Sequence, residues 1–439
     1  MNRHMELRSL HSIEAGGFTG GHPLRWISHR LMLWSMLGLL LVVGVSLLTT
    51  LTVAHQLALF WPFIRHHLAL ILAVASTYSL AVIVIEKTSR FPGWSSVTVV
   101  LPAVSGAFLL LVCVLLIGRF YYARSFLLTA YCLSFGWLVV GMHLRRRYLI
   151  PRLAVVAEGT APELTAVRGV KWQVLVEPSL SEFEVDGVVV DLHAKLPNHW
   201  LRFVADCALH RVPVYHSGWV HESITGRASL GQMSETFMNS LEPPAVYLLG
   251  KRLFDLLLVL ALLPVVVPLM CLLTLIIKMD SSGPVFFIQP RIGQGGRIFL
   301  MLKFRSMHLE SENDGARFAD HADPRITRAG AVLRRWRLDE LPQILNILLG
   351  HMSLVGPRPE QVSFVKEFEA QIPFYNYRHI IKPGITGWAQ VTHGYTADME
   401  STTEKLERDI YYIKHMSFWL DFSILIRTAR ILVTGFGSR

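Results

Sequence analysis

Charge is scarce in this chain: Asp, Glu, Lys and Arg make up 17% of its 439 residues, against 52% hydrophobic. Soluble domains are usually nearer a quarter charged, so part of the chain belongs in lipid. Cysteine is scarcer still. Cys113, Cys132, Cys207 and Cys271 are scattered, and no pair has the spacing of a metal clip, which argues against a zinc module and a disulfide framework. Repeats and low-complexity tracts are absent, and the first apolar run is too long for a signal peptide and has no clean cleavage site. Acidic residues are outnumbered by basic ones, 32 to 42, for a formal net charge of +10. In a chain with lipid-bound segments, that excess points first to cytoplasmic loops and anionic headgroups and second to anionic substrates. Nucleic acid is not an expected partner.

Long apolar runs are what the chain has in abundance. After a basic, glycine-containing arm (residues 1–30, with Arg3, Arg8, Arg25 and Arg30), four follow one another: Leu31–Val53, His67–Ile85, Trp94–Ile117 and Ser125–Leu144. Each is about 19 to 24 residues, enough to cross a ~30 Å hydrocarbon core as a helix. Lys87 and Arg90 follow the second run, and Arg145, Arg146 and Arg147 follow the fourth. With the basic arm, they predict a four-helix transmembrane bundle over 31–146 with both ends in the cytoplasm; Arg119 and Arg124 weaken the pattern without reversing it.

Residues 151–245 turn soluble. Arg152–Ala157 and Val185–Leu192 read as buried strands, Asn198–His210 as a helix and Val212–Tyr215 as a third strand, which predicts a small Rossmann-like α/β module. It carries neither GxGxxG nor a Walker lysine, so nucleotide binding there is not supported. A fifth apolar run, Leu253–Ile277, is flanked by Lys251, Arg252 and Lys278 and interrupted by Pro264 and Pro268. Basic residues at both ends and prolines that break backbone bonding predict a re-entrant hairpin over 251–277. A proline-kinked transmembrane helix is the alternative. Residues 278–439 read as an interfacial catalytic domain, making the whole a membrane protein of α + α/β class.

The chemistry concentrates there. Lys303-Phe304-Arg305-Ser306-Met307 gives two cations and a hydroxyl after the strand-like Ile298–Leu302. Arg334-Arg335-Trp336-Arg337 then leads into Leu338-Asp339-Glu340-Leu341-Pro342-Gln343. Pro342 suits an early helix position, which predicts Asp339 at or near a helix start, with neighbouring arginines favouring an ionised, nucleophilic carboxylate. One carboxylate of such a pair can attack phosphorus while the other holds Mg²⁺, a hard cation that takes oxygen ligands. An exposed pair matched to surface arginines is the ordinary alternative. The neighbouring motifs argue against it: in Gly356-Pro357-Arg358-Pro359-Glu360, Pro357 and Pro359 stiffen the backbone around a cation, and Lys382-Pro383-Gly384-Ile385-Thr386-Gly387-Trp388-Ala389-Gln390 is a second rigid turn with a cation.

From Lys251 onward the chain resembles the bacterial polyprenyl-phosphate hexose-1-phosphate transferases, the monotopic phosphoglycosyl transferases. The matching blocks are Lys251–Asp255, the kinked run, Lys278–Val285, Lys303–Met307, Leu338–Gln343, Met352–Pro359 and Lys382–Gln390. The preceding spans and module resemble the long-form members that initiate exopolysaccharide, capsule or O-antigen repeat units, and the tail from Tyr411 to Asp421 resembles exopolysaccharide members. The resemblance implies that Asp339 is the nucleophile, that Glu340 ligates Mg²⁺, and that Lys303, Arg334 and Arg358 contact phosphate. It implies ping-pong transfer from a UDP-sugar to undecaprenyl phosphate, with release of UMP, and Pro268 as the hairpin proline. It also implies an inner-membrane location with the catalytic domain on the cytoplasmic face, and admits a homodimer. Arg305 and Lys382 join the phosphate-binding candidates from the motifs themselves. The chain departs from its relatives at Val267, commonly Ser, at the extra Pro264, and at Trp336-Arg337, often Thr-Ser. The first departures bear on the helix break, the last on donor selectivity.

Rival readings fit less well. A polytopic phosphoglycosyl transferase needs more spans, and a metal-dependent glycosyltransferase usually offers a DxD motif, which the C-terminal part lacks. A membrane-anchored scaffold has no need of a carboxylate pair among arginines.

Overall fold

The structure is a computed structural model that describes residues 23–53, 60–89, 96–120, 122–148, 150–167, 169–180, 185–230, 243–308, 325–392 and 399–434. The basic arm through residue 22 and Arg90 lie outside the described residues. The chain divides into two compact units, Met1–Thr225 and Gly226–Arg439.

The first unit opens with helices α1 (Pro23–Val53), α2 (Phe60–Thr88), α3 (Ser96–Ile117) and α4 (Arg124–Tyr148). The last part of the expected arm is therefore already helical. Trp34 of α1 stacks on Trp137 of α4 with ring centroids 4.2 Å apart, and the Trp137 indole donates to the Trp34 carbonyl at 3.1 Å. Gly38 lets this seam close, because a Cβ there would overlap the Trp137 indole. Leu40, Leu72, Leu109, Ile117 and Leu128 point outward, a surface that suits hydrocarbon and not water. By length and composition, Leu68–Thr88, Val99–Ile117 and Arg124–Arg145 can each cross a membrane; the described apolar part of α1, Leu33–Thr49, is shorter.

After the bundle comes a parallel sheet of β1 (Arg152–Val156), β2 (Lys171–Leu175), β3 (Gly187–Val190) and β4 (Val214–His216), in the order β2-β1-β3-β4. Val188 and Val190 pack with Trp200, Phe203 and Cys207 of helix α5 (Asn198–Leu209) on one face. Val155 and Val189 pack with Val220 of helix α6 (Ser217–Thr225) and with Leu164 on the other. Coverage of both faces explains why β3 reads as an unbroken apolar run.

The second unit is built on a long helix, α7 (Ala245–Asp280), which keeps helical backbone across Pro264 and Pro268. The predicted break is thus not a break in the helical backbone: a proline deletes one hydrogen bond of its own and can bend a helix without ending it. Lys251, Asp255, Val259, Val266, Leu273 and Ile277 are buried along α7, and Leu263 and Met270 are partly buried between them. Steps of three and four residues keep these side chains on one face from end to end. Against that face pack the antiparallel hairpin β5 (Phe286–Ile292) and β6 (Ile298–Phe304), helix α8 (Arg328–Arg335) and short helix α9 (Gln343–Leu348). A two-stranded parallel sheet, β7 (Ser353–Val355) and β8 (Gly384–Thr386), and helices α10 (Val362–Gln371), α11 (Trp388–Thr392), α12 (Met399–Lys414) and α13 (Phe418–Thr434) complete the unit.

Candidate active site

Asp339 and Glu340 lie in a single 3-10 turn, Leu338–Glu340, rather than in the first turn of a regular helix; Pro342 precedes α9. Arg337 enters that turn in the left-handed region, φ 55° and ψ 23°, an uncommon conformation for a residue with a long side chain. Both carboxylates are buried, at 9% and 7% exposure. An exposed, solvated pair is therefore excluded.

Three elements deliver cations to Glu340. Arg358 donates to Glu340 Oε1 at 2.7 Å, Arg337 Nη1 lies 3.7 Å from the same oxygen, and Lys303 Nζ, near the end of β6, lies 4.0 Å from it. Arg334 approaches Asp339 closely enough to favour its charge, and is itself held by a 2.9 Å bond from Nε to the Ser306 hydroxyl. Among the described residues no cation comes within ion-pairing distance of Asp339.

That asymmetry sets the electrostatics. Burial would raise the Glu340 carboxyl, but Arg358, then Lys303 and Arg337, outweigh it and hold it at about 2. Burial, followed by the charge on Glu340, raises Asp339 above the usual carboxylate range despite Lys303, Arg334 and Arg358. The sequence leads one to expect arginines to favour an ionised Asp339; in the fold Arg337 and Arg358 pair with Glu340 instead, and Arg334 bonds Ser306. Lys303 is drawn down to about 8 by burial and then by Arg358.

Backbone packing fixes these groups in place. Gly356 and Gly384 cross so closely that a Cβ on Gly384 would lie 2.1 Å from the Gly356 nitrogen, which seats the Pro357-Arg358-Pro359 segment on β8. The Pro357 carbonyl accepts from Gly384 N at 2.9 Å and the Pro359 carbonyl from Arg291 at 3.1 Å. Behind Arg358 lies a buried charge knot: Arg378 donates to the Arg358 carbonyl at 3.0 Å and to Asp409 at 2.8 Å, and Lys405 pairs with Glu360.

The family model described as bacterial sugar transferase matches residues 246–435. A UDP-N-acetylgalactosamine-undecaprenyl-phosphate N-acetylgalactosaminephosphotransferase of Aeromonas hydrophila is 44% identical over 363 residues, 82% of this chain and 86% of that protein. The chain belongs to the bacterial sugar transferase family. A UDP-glucose:undecaprenyl-phosphate glucose-1-phosphate transferase of Xanthomonas campestris pv. campestris is 45% identical over 186 residues, 42% of this chain and 38% of that protein. One of the same name from Caulobacter vibrioides is 42% identical over 188 residues, 42% of this chain and 70% of that protein. This sugar transferase is accordingly an enzyme of the phosphotransferase class.

Of the sequence candidates, the transferase fold brings Lys303, Arg334 and Arg358 to the Asp339–Glu340 pair. It does not bring Arg305 or Lys382 there. Arg305 lies past the last paired residue of β6 and donates to the Ser281 carbonyl and hydroxyl at 2.7 and 2.8 Å. Lys382 faces Arg252 and Asp255, and burial and then Arg252 lower its pKa. Pro268 lies within α7, and Pro357 and Pro359 flank Arg358 as expected. Arg337 and Gln390 stand inside quoted motifs but were not named as site residues, and Arg378 and Asn346 were missed altogether, since both act through contacts formed only on folding. Asn346 is the clearest case. It accepts from Leu302 N at 3.0 Å and donates to the Leu300 carbonyl at 2.7 Å, binding α9 to the edge of β6 and so Lys303 to the carboxylate pair.

Among the described residues no group of three or more His, Cys, Asp or Glu side chains is placed to hold a metal. Two adjacent carboxylates nonetheless fit Mg²⁺, which takes one or two carboxylates alongside waters and substrate phosphates and needs no all-protein cage.

Proposed function

We propose that this enzyme transfers a sugar-1-phosphate from a UDP-sugar to undecaprenyl phosphate, releasing UMP, as the first step of a surface polysaccharide repeat unit. The observation that carries this is the buried Asp339–Glu340 pair among Lys303, Arg334, Arg337 and Arg358, a site with the charge to bind a diphosphate and a carboxylate that, among the described residues, has no ion pair. The Aeromonas hydrophila relative, which matches 82% of the chain, is named for UDP-N-acetylgalactosamine, so that sugar nucleotide is the first donor to test.

In this reading an Asp339 carboxylate oxygen attacks the phosphorus bearing the sugar. The bond from that phosphorus to the oxygen bridging to UMP breaks, and UMP leaves with the electron pair. The resulting aspartyl phospho-sugar is then attacked by a phosphate oxygen of undecaprenyl phosphate. A diphosphate bond forms, and Asp339 departs as a carboxylate, which gives ping-pong kinetics. Lys303, Arg334 and Arg358 orient the diphosphate and offset the charge that gathers on its oxygens. Glu340, with Asp339 beside it, would hold Mg²⁺, whose chemistry here is neutralisation of phosphate charge. Their burial excludes water, which would otherwise hydrolyse the acyl phosphate.

The same proposal seats α7 re-entrantly, on the cytoplasmic side of the inner membrane. Its length and composition alone allow a crossing. Against crossing stands the stripe from Lys251 to Ile277, which keeps the helix against one folded unit throughout, while Leu253, Leu257, Leu260, Val265, Leu275 and Met279 face outward. A span would need about 20 residues released from that unit.

The test is UMP release by purified protein with Mg²⁺ and undecaprenyl phosphate, from UDP-N-acetylgalactosamine and UDP-glucose in parallel. Lipid-dependent UMP from either donor supports the reaction and names the sugar. No UMP from either, or from a wider panel of UDP-sugars, would overturn it in favour of a scaffold.

A further inference from the structure

Gln390, on the short helix α11, touches the site through Arg358, whose Nη1 lies 3.3 Å from Gln390 Oε1. A guanidinium can only donate, so the amide atom facing it must be the oxygen. That contact fixes the orientation of the whole amide and turns Nε2 away from Arg358. Nε2 is shut off from solvent and, among the described residues, has no hydrogen-bond partner. A buried donor left without an acceptor is costly, and proteins seldom keep one unless something arrives to satisfy it.

The surroundings say what that something is. Arg358, Arg337 and Lys303 lie around Glu340 Oε1 and offer only donors, and that oxygen already accepts from Arg358. The missing partner is therefore an acceptor brought in from outside, to a place where positive charge has accumulated. A phosphate oxygen meets both conditions.

We propose that Gln390 is a substrate-binding residue, oriented by Arg358 through its carbonyl oxygen so that its amide nitrogen donates to a phosphate oxygen of the sugar nucleotide. This rests on the reaction proposed above and adds to it a neutral donor beside the arginines. A purely structural Gln390, serving only as an acceptor for Arg358, makes a different prediction for one variant. In Gln390→Glu the acceptor is kept and its pairing with Arg358 strengthened, but the donor is replaced by a negative charge that repels phosphate. In Gln390→Ala both functions are lost.

The experiment is calorimetric titration of UDP into detergent-purified wild-type, Gln390→Ala and Gln390→Glu protein, with a thermal melt of each. The expected result is UDP affinity reduced about ten-fold or more in both variants, at least as severely in Gln390→Glu, with the Gln390→Glu melt unchanged or higher. Wild-type affinity in Gln390→Glu overturns the assignment and leaves Gln390 as a support for Arg358. Wild-type affinity in both variants overturns it as well. Failure of the wild-type protein itself to bind UDP overturns the proposed reaction, and this contact with it, so the two failures are told apart by the wild-type titration.

Discussion

The guanidinium of Arg378 donates to the main-chain oxygen of Arg358 at 3.0 Å, so one arginine holds the backbone from which the other reaches Glu340 of the carboxylate pair. Arg378 is 2% exposed and also bonds Asp409 at 2.8 Å and the Tyr375 hydroxyl at 2.5 Å. A lysine keeps the charge but lacks the planar fork that serves three partners together. Arg378→Lys should lower kcat/KM for the sugar nucleotide about ten-fold or more while the protein remains folded. Arg378→Leu, which strands buried Asp409, should cost about 3–5 kcal/mol of stability, read in thermal melts.

Asp339→Asn should abolish UMP release while leaving the protein folded and membrane-bound. The substitution keeps the shape and removes one of two abutting buried carboxylates. Its melting temperature should therefore equal or exceed that of the wild type, the usual sign of a group kept for activity at the expense of stability. Normal turnover by this variant would rule out the covalent route.

Metal removal gives an independent check. EDTA should abolish activity of the wild-type enzyme and added Mg²⁺ should restore it, because two carboxylates alone leave most of an Mg²⁺ coordination sphere to water and phosphate and bind the ion reversibly. Activity that persists in EDTA would remove the metal from the proposal.

What the sequence made legible follows from the range of the interactions involved. The apolar runs, the β3 valines and the Asp339-Glu340 motif are local patterns and survive translation into structure. Strand β2 was missed because Lys171-Trp172-Gln173-Val174-Leu175 lies at the sheet edge and lacks a continuous apolar run. Arg305 misled for a related reason: strand alternation would place it with Lys303, but pairing ends at Phe304 and the side chain turns to Ser281. Gln390 and Asn346 reach partners 32 and 46 positions away, and no pattern in the chain announces such contacts.

Acid should weaken the fold through His379. Burial, and then the neighbouring Arg378, depress its pKa from 6.5 to about 3, against the smaller opposing effect of Glu360. Below about pH 6.5 the unfolded chain takes up a proton that the folded chain refuses until near pH 3, so this stabilisation is complete above 6.5 and is lost as pH falls. The slope approaches about 1.4 kcal/mol per pH unit. Glu360, held at about 2 by Lys405 and Arg378 against the upward effect of burial, adds a loss of the same sign only at lower pH. Denaturant melts between pH 6.5 and 5 should therefore show a pH-dependent loss that His379→Gln removes. An identical slope in wild type and variant would show that His379 is not the group responsible.

The seating of α7 can be decided by which side of the membrane reaches its ends. Val246 and Met279 are 86% and 87% exposed and lie near the two ends of the helix. A straight helix between them would extend about 50 Å, more than a bilayer core, so a crossing would put them on opposite sides. Packing along the whole buried stripe requires both ends to stay with the same folded unit. With the native cysteines replaced, Val246→Cys and Met279→Cys should both react with an impermeant maleimide in inverted inner-membrane vesicles, and neither should react in intact spheroplasts. Labelling of the two from opposite sides would mean that α7 spans the bilayer, and that the folded unit packed on it is itself drawn into the membrane. Replacing Pro264 and Pro268 together with leucine tests the cause: if the prolines provide the bend that keeps α7 at one interface, the straightened helix should expose one of the two cysteines to the outside.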